Sequence, residues 1–199
     1  MDKSRVEAFT DALLAIIMTV LVLDLVAPNQ TDWHALEVLE GSLAIYAMSF
    51  FSLSVYWVNH HHLFQMAEKV NGQILWSNIL SIFLVSLVPF VTSWVGKDLN
   101  ALAPCIPYGI LFLLINLSYT LLSLSMRNSH SESSRLNHVF GTNKKLIVSF
   151  LMNLFVVGLA FIQPWLVLLG RMLVSLYWVV PNKHAERCSE NEAECYKET

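Results

Sequence analysis

Charge is scarce in this sequence. Asp, Glu, Lys and Arg make up 14% of its 199 residues, where a soluble domain of that size carries roughly 25%. With 55% hydrophobic residues and a mean hydropathy of +0.54, the shortage excludes an ordinary soluble domain. Several apolar runs near 20 residues point instead to a chain that crosses a membrane repeatedly. The net charge of -3 offers no basic surface for nucleic acid, so the basic residues serve orientation. Cysteine is rare too. Cys105, Cys188 and Cys195 show no CxxC spacing and make neither a disulfide framework nor a metal site. A glycine-rich phosphate loop, HExxH, GxSxG and an internal repeat are all missing, so neither catalytic machinery nor a cofactor is expected.

What is present is apolar length. Six runs cover about 8–27, 41–64, 74–95, 104–126, 146–162 and 164–180. The expected fold is all-α: a polytopic membrane protein of six transmembrane helices, with a membrane domain over 1–181 and a polar cytoplasmic tail over 182–199. Segment 127–145 is polar and reads as a loop, and the last two runs form a hairpin turning tightly at Gln163-Pro164. Six spans put both termini on one side, with Lys3, Arg5, Lys69, Arg127, Arg135, Lys144, Lys145, Lys183, Arg187 and Lys197. Opposite them stands Lys97, while Arg171 lies inside the sixth run. That segregation makes the termini cytoplasmic and the location the plasma membrane. The first run reads as a mature helix rather than a signal peptide, because acidic residues interrupt both ends and no small-residue cleavage pattern follows.

That first run, residues 5–25, carries Arg5, Thr10 and Asp11 at one end and Asp24 at the other. An ionisable residue just inside a spanning helix faces protein or water rather than lipid. Arg5 and Asp11 stand six apart, on different helical faces, so they do not pair with each other. Arg5 also fits a flanking role, snorkelling to lipid phosphate. Ile16, Val20 and Leu23 share one face at spacings of four and three. On helix periodicity alone, their ordinary role is packing against lipid or a neighbouring helix.

Partners for the polar end come from the next two runs. The second ends in Trp57, Asn59, His60, His61 and His62, and the third opens with Trp76 and Asn78. Consecutive histidines on a helix point about 100° apart, which excludes their joint ligation of one metal. Hydrogen bonding at the helix end is their expected role. Asn78 can cross-link helices through its two donors and one acceptor. Pro89 is expected to kink the third helix.

Arg5-x-x-x-Phe9-Thr10-Asp11 resembles the Arg-x-x-x-Phe-Ser-Asp signature of the transmembrane protein 175 family of potassium channels. Trp57-x-x-His60-His61, Trp76-x-Asn78 and Leu87-Val88-Pro89-Phe90 are similar to that family's second and third helices. The resemblance covers residues 5–95 well and the rest mainly by layout. It implies a single six-helix unit of the prokaryotic type, assembled as a homotetramer in membrane lipid, with potassium as the permeant ion. The pore would be lined by the first helix, with Ile16, Val20 and Leu23 as its constriction and Thr19 as a polar ring. Arg5, Phe9, Thr10 and Asp11 would pack against Trp57, His60, His61 and Asn78 to hold that helix. The family has no TVGYG-type filter, and this chain has none either. Thr10 replaces the commoner serine and keeps its hydroxyl. Arg171 falls where relatives are usually apolar or aromatic.

Ile16 to Leu23 covers about 10 Å of helix rise. Four such helices around an axis would stack apolar rings that block ions by dewetting, with modest potassium preference set by pore width and the Thr19 hydroxyls. The alternative is a proton-coupled secondary transporter that relays through Asp11 and a second-helix histidine. Such a transporter calls for broken helices in paired halves, and apart from Pro89 nothing suggests one.

Overall fold

The computed structural model describes residues 2–28, 33–67, 69–129 and 144–179. Every regular element among them is a helix: α1 Lys3–Leu23, α2 His34–Gln65, α3 Gly72–Ser86, α4 Val88–Lys97, α5 Leu102–Asn128, α6 Lys144–Leu159 and α7 Leu166–Val179. Two starts are written in the sequence. The Asp2 side chain caps α1 by accepting from the Ser4 amide, and Asn71 caps α3 by accepting from the Ile74 amide at 2.9 Å, each satisfying an otherwise orphaned donor.

α3 and α4 form one rod broken at Leu87. Pro89 sits in the first turn of α4 and has no N–H to give. The Leu87 amide turns back to the Leu84 carbonyl at 3.2 Å, and Val91 picks up the Leu87 carbonyl at 3.3 Å. In place of the kink expected at Pro89, the helix is interrupted two residues earlier at Leu87, which keeps right-handed helical angles (φ -84°, ψ -9°); Pro89 has no N–H to continue the ladder.

Counting α3–α4 as one, the described helices make six rods. Four stretches, Lys3–Leu23, Leu39–Gln65, Gly72–Lys97 and Leu102–Asn128, are long and apolar enough to cross a membrane. α6 and α7 have 16 and 14 residues, or about 24 and 21 Å of rise, against a hydrocarbon core of about 30 Å. The reversal between them, from Leu159 to Leu166, is broader than a Gln163-Pro164 turn. The amides of Ala160, Phe161 and Ile162 bond to the carbonyls of Val157, Gly158 and Leu159, so the chain tightens before Pro164 stops it. The expected tail, 182–199, and most of the polar loop lie outside the described residues.

α1 packs on α2, α3 and α4, and α2 also meets α7. α5 packs on α3, α4, α6 and α7. Where lipid is as apolar as leucine, small side chains and polar pairs join helices. Thr92 donates to Ser49 at 2.8 Å, Ser49 pairs with the Tyr108 hydroxyl at 3.1 Å, and Ser52 pairs with Ser175 at 2.8 Å. At Gly170 a Cβ would stand 2.5 Å from Val156 Cγ2, so glycine lets α7 come close to α6. Lys3 Nζ donates to the Gln65 carbonyl, and Asn71 donates to Ser129. These bonds gather the start of α1, the end of α2, the start of α3 and the end of α5 at one end of the bundle. Ser42 donates to the Gly96 carbonyl at the other. Lys3, Arg5, Lys69 and Arg127 thus share one end and Lys97 stands at the opposite one, as the charge count implies.

Candidate functional site

α1 has two unlike faces. Val6, Thr10, Leu14, Ile17 and Leu21 are buried against the bundle at spacings of four, four, three and four. A separate stripe, about 110° round the helix at 100° per residue, holds Phe9, Ile16, Val20 and Leu23, exposed by 53, 57, 38 and 77%. Arg5 and Thr19 are exposed as well and, at 100° per residue, fall on that same stripe. The Thr19 hydroxyl donates to the Ile16 carbonyl at 2.7 Å. Its proton is therefore committed to the helix, and the oxygen presents only lone pairs outward.

The inner face is anchored by a directed chain of hydrogen bonds. Thr10 Oγ1 donates to the Val6 carbonyl at 2.9 Å. With its proton used, it can only accept, and Asn78 Nδ2 donates to it at 2.9 Å. That fixes the amide: Asn78 Oδ1 faces His60 Nε2 at 2.8 Å, so His60 Nε2 carries the proton and donates. Thr10, His60 and Asn78 are all buried, and none of them has a buried side-chain nitrogen or oxygen without a partner. The chain joins α1, α2 and α3 at one point and serves as a clamp. His60 also stacks on Phe64, with centroids 4.5 Å apart.

Asp11 belongs to a second, outer pair. Trp57 Nε1 donates to Asp11 Oδ1 at 2.9 Å. His61 stacks on Trp57 and hydrogen-bonds to Gln65 at 2.9 Å. The three histidines therefore serve different neighbours, as their helical spacing requires. Asp11 and His60 lie in separate chains, and the group bonded to Asp11 is an indole, which donates and does not accept a proton.

Of the residues expected to form one network, Thr10, His60 and Asn78 make the inner chain, and Asp11, Trp57 and His61 make the outer cluster. Arg5 and Phe9 join neither. Both lie on the exposed stripe, because seven and eleven residues back from Ile16 are close to two and three whole helical turns. Trp76 is 71% exposed, so of the Trp76-x-Asn78 pair only Asn78 reaches inward.

A further polar centre is larger than the sequence suggested. Arg171 on α7 lies over the Phe112 ring, 4.2 Å from its centroid, and Nη1 donates to Asn153 Oδ1 on α6 at 3.3 Å. These are the neighbours that the sequence left unnamed for Arg171. Asn153 and Asn116, lone amides in apolar runs, were the available signal.

Known proteins supply the remaining observations. The model of the family described as endosomal/lysosomal potassium channel TMEM175 matches residues 5–89. A protein named a potassium channel from Chryseobacterium sp. (strain P1-3) is 36% identical over 187 residues, covering 94% of this chain and 97% of that protein. The crystal structure of a lysosomal potassium-selective channel TMEM175 homolog from Chamaesiphon minutus superposes with a TM-score of 0.77 at 25% identity, covering 90% of this chain and 97% of that one. A rat protein named endosomal/lysosomal proton channel TMEM175 is 32% identical over 114 residues, which are 55% of this chain and 22% of that protein.

Proposed function

We propose a function from one premise: this chain belongs to the TMEM175 family, a family of channels rather than enzymes, and is a multi-pass membrane protein. The protein is a potassium-preferring cation channel, a homotetramer of six-span subunits in the plasma membrane with cytoplasmic termini. The first helix of each subunit lines the pore. Ile16, Val20 and Leu23 form stacked apolar rings that control ion passage, with no carbonyl filter. The observation that carries this reading is the two-faced α1. One face is clamped to the bundle through Thr10, while the other leaves Ile16, Val20 and Leu23 exposed in a single stripe.

Thr19 suits a cation pathway. A hydroxyl whose proton is bonded to the helix offers an approaching ion only acceptors, which favours potassium over anions. Apolar rings flanking it would dewet when narrow. Asp11, held by the Trp57 indole, and His60, held by Asn78, are fixed as scaffold.

The test is flux in liposomes from purified protein. Wild type should pass potassium down its gradient with no proton gradient and no counter-substrate, and Ile16→Asn should raise conductance or weaken selectivity. Strict dependence on a proton gradient would favour the transporter reading, and proton current without potassium current would ally the chain with the activity named for the rat relative. An Ile16→Asn variant with unchanged conductance and selectivity would move the constriction elsewhere.

A further inference from the structure

The exposed stripe of α1 has two unlike borders. On one side stand α3 and α4. Val20, Ser86 and Phe90 line a common groove there, and beyond it Trp76, Leu80 and Phe83 are exposed. On the other side Ala8, Ala12 and Ala15 are exposed, nearly opposite the buried face of α1 at 100° per residue. Asp11 lies past them, exposed and bonded to the Trp57 indole of α2. A carboxylate inside a span does not face lipid, so this second border needs protein over it.

The large set and the small set share one spacing, four residues and then three. Their depths agree as well. α1 and α3 start at the same end of the bundle, and Asn78 donates to Thr10, which lies 68 residues before it. That bond puts Trp76 level with Ala8, Leu80 with Ala12 and Phe83 with Ala15. Rotation about an axis along the membrane normal changes no residue's depth. In a ring of subunits with the stripe turned inward, the aromatic border of one subunit therefore faces the alanine border of the next, level by level. Small residues let helices approach closely, which is how helices join in lipid. Arg5 lies one turn before Ala8 on neighbouring faces of the helix. It brings a cation beside Trp76, whose ring face attracts one.

Resting on the reading that α1 lines the pore of such a ring, we propose that Trp76, Leu80 and Phe83 of one subunit seat on Ala8, Ala12 and Ala15 of the next. The contact is head-to-tail, so it closes into a ring, and it seals the seam beside each pore helix.

Disulfide trapping tests the contact. With Cys188 and Cys195 replaced by serine, a chain carrying Leu80→Cys and Ala12→Cys together should form covalent dimers, trimers and tetramers when membranes are oxidised with copper phenanthroline. Either cysteine alone should leave single chains on a denaturing gel. No ladder from the paired variant, or an equal ladder from a single one, would overturn the proposal. A size exchange needs no thiol. Ala12→Trp should turn tetramers into monomers in native mass spectrometry with helical circular dichroism kept, and adding Leu80→Ala should restore the tetramers. Tetramers that survive Ala12→Trp, or a loss that Leu80→Ala leaves unrepaired, would also overturn it. Failure here is separable from failure of the pore reading. A tetrameric wild type whose conductance answers to Ile16→Asn, yet gives no ladder in the paired variant, loses this contact alone. A monomeric wild type loses the ring and the pore with it.

Discussion

The two buried polar centres of this bundle differ in one respect. At Thr10, Asn78 and His60, each donor meets an acceptor in a chain that ends on the Val6 carbonyl. At Arg171, a charged group meets one amide and one ring, and Nε and the nearby Asn116 Oδ1 are left over. In a low dielectric, a satisfied network rigidifies and an incomplete one is costly. The closed centre therefore reads as scaffold for the helix proposed to line the pore. The open one leaves buried polar atoms without partners and so contributes less to holding the bundle together.

Breaking the closed centre should have the largest effect. Asn78→Ala removes two interhelical bonds and strands the His60 donor, which should cost about 2–3 kcal/mol. Thermal unfolding in detergent checks this, and a loss below about 0.5 kcal/mol would mean that the chain is not a clamp. Thr10→Val should cost less, about 1–2 kcal/mol, since it removes only the acceptor of Asn78 Nδ2 at nearly constant shape. Thr10→Ser should be close to neutral in the same assay, because it keeps the hydroxyl. A loss in Thr10→Ser with none in Thr10→Val would mean that methyl packing matters rather than the bond.

The open centre should respond differently. Arg171→Met should change stability by no more than about 1 kcal/mol, because losing a buried charge without a carboxylate partner among the described residues offsets the lost contacts. A loss above about 3 kcal/mol would show that the protein groups alone already satisfy Arg171, erasing the contrast. The smallest effect belongs to the outer pair. Trp57 is 41% exposed, so Trp57→Phe, which removes the bond to Asp11 and trims a half-exposed ring stacked on His61, should cost less than about 1 kcal/mol. A larger effect measured on the assembled oligomer than on dissociated subunits would locate that pair at a subunit contact.

Much of the fold was legible because hydropathy and charge are local. The helical rods fall where the apolar runs fall, and the bundle ends sort the basic residues as the loop count does. The shortening of α6 and α7 was less legible. It depends on where i to i−3 bonds tighten the chain before Pro164, and apolar character alone does not report that. In the candidate site, the pairing of Asn78 with Thr10 and His60 follows from depth along the helices. The division of Arg5, Phe9, Thr10 and Asp11 between inner, outer and exposed positions depends on the rotation of α1 about its axis.

By itself, the sequence determined that this chain is helical, that it crosses a membrane, and which residues sit at which end, since each follows from runs and counts along one dimension. Its first-helix motif also marked the family. Only the tertiary structure decided which face of α1 meets the bundle, that Asp11 pairs with Trp57 rather than a histidine, and that Arg171 lies against Asn153 and Phe112. The reason is geometric: a helix apolar on nearly every side encodes its depth in sequence but not its rotation, and rotation is set by the neighbours it packs against.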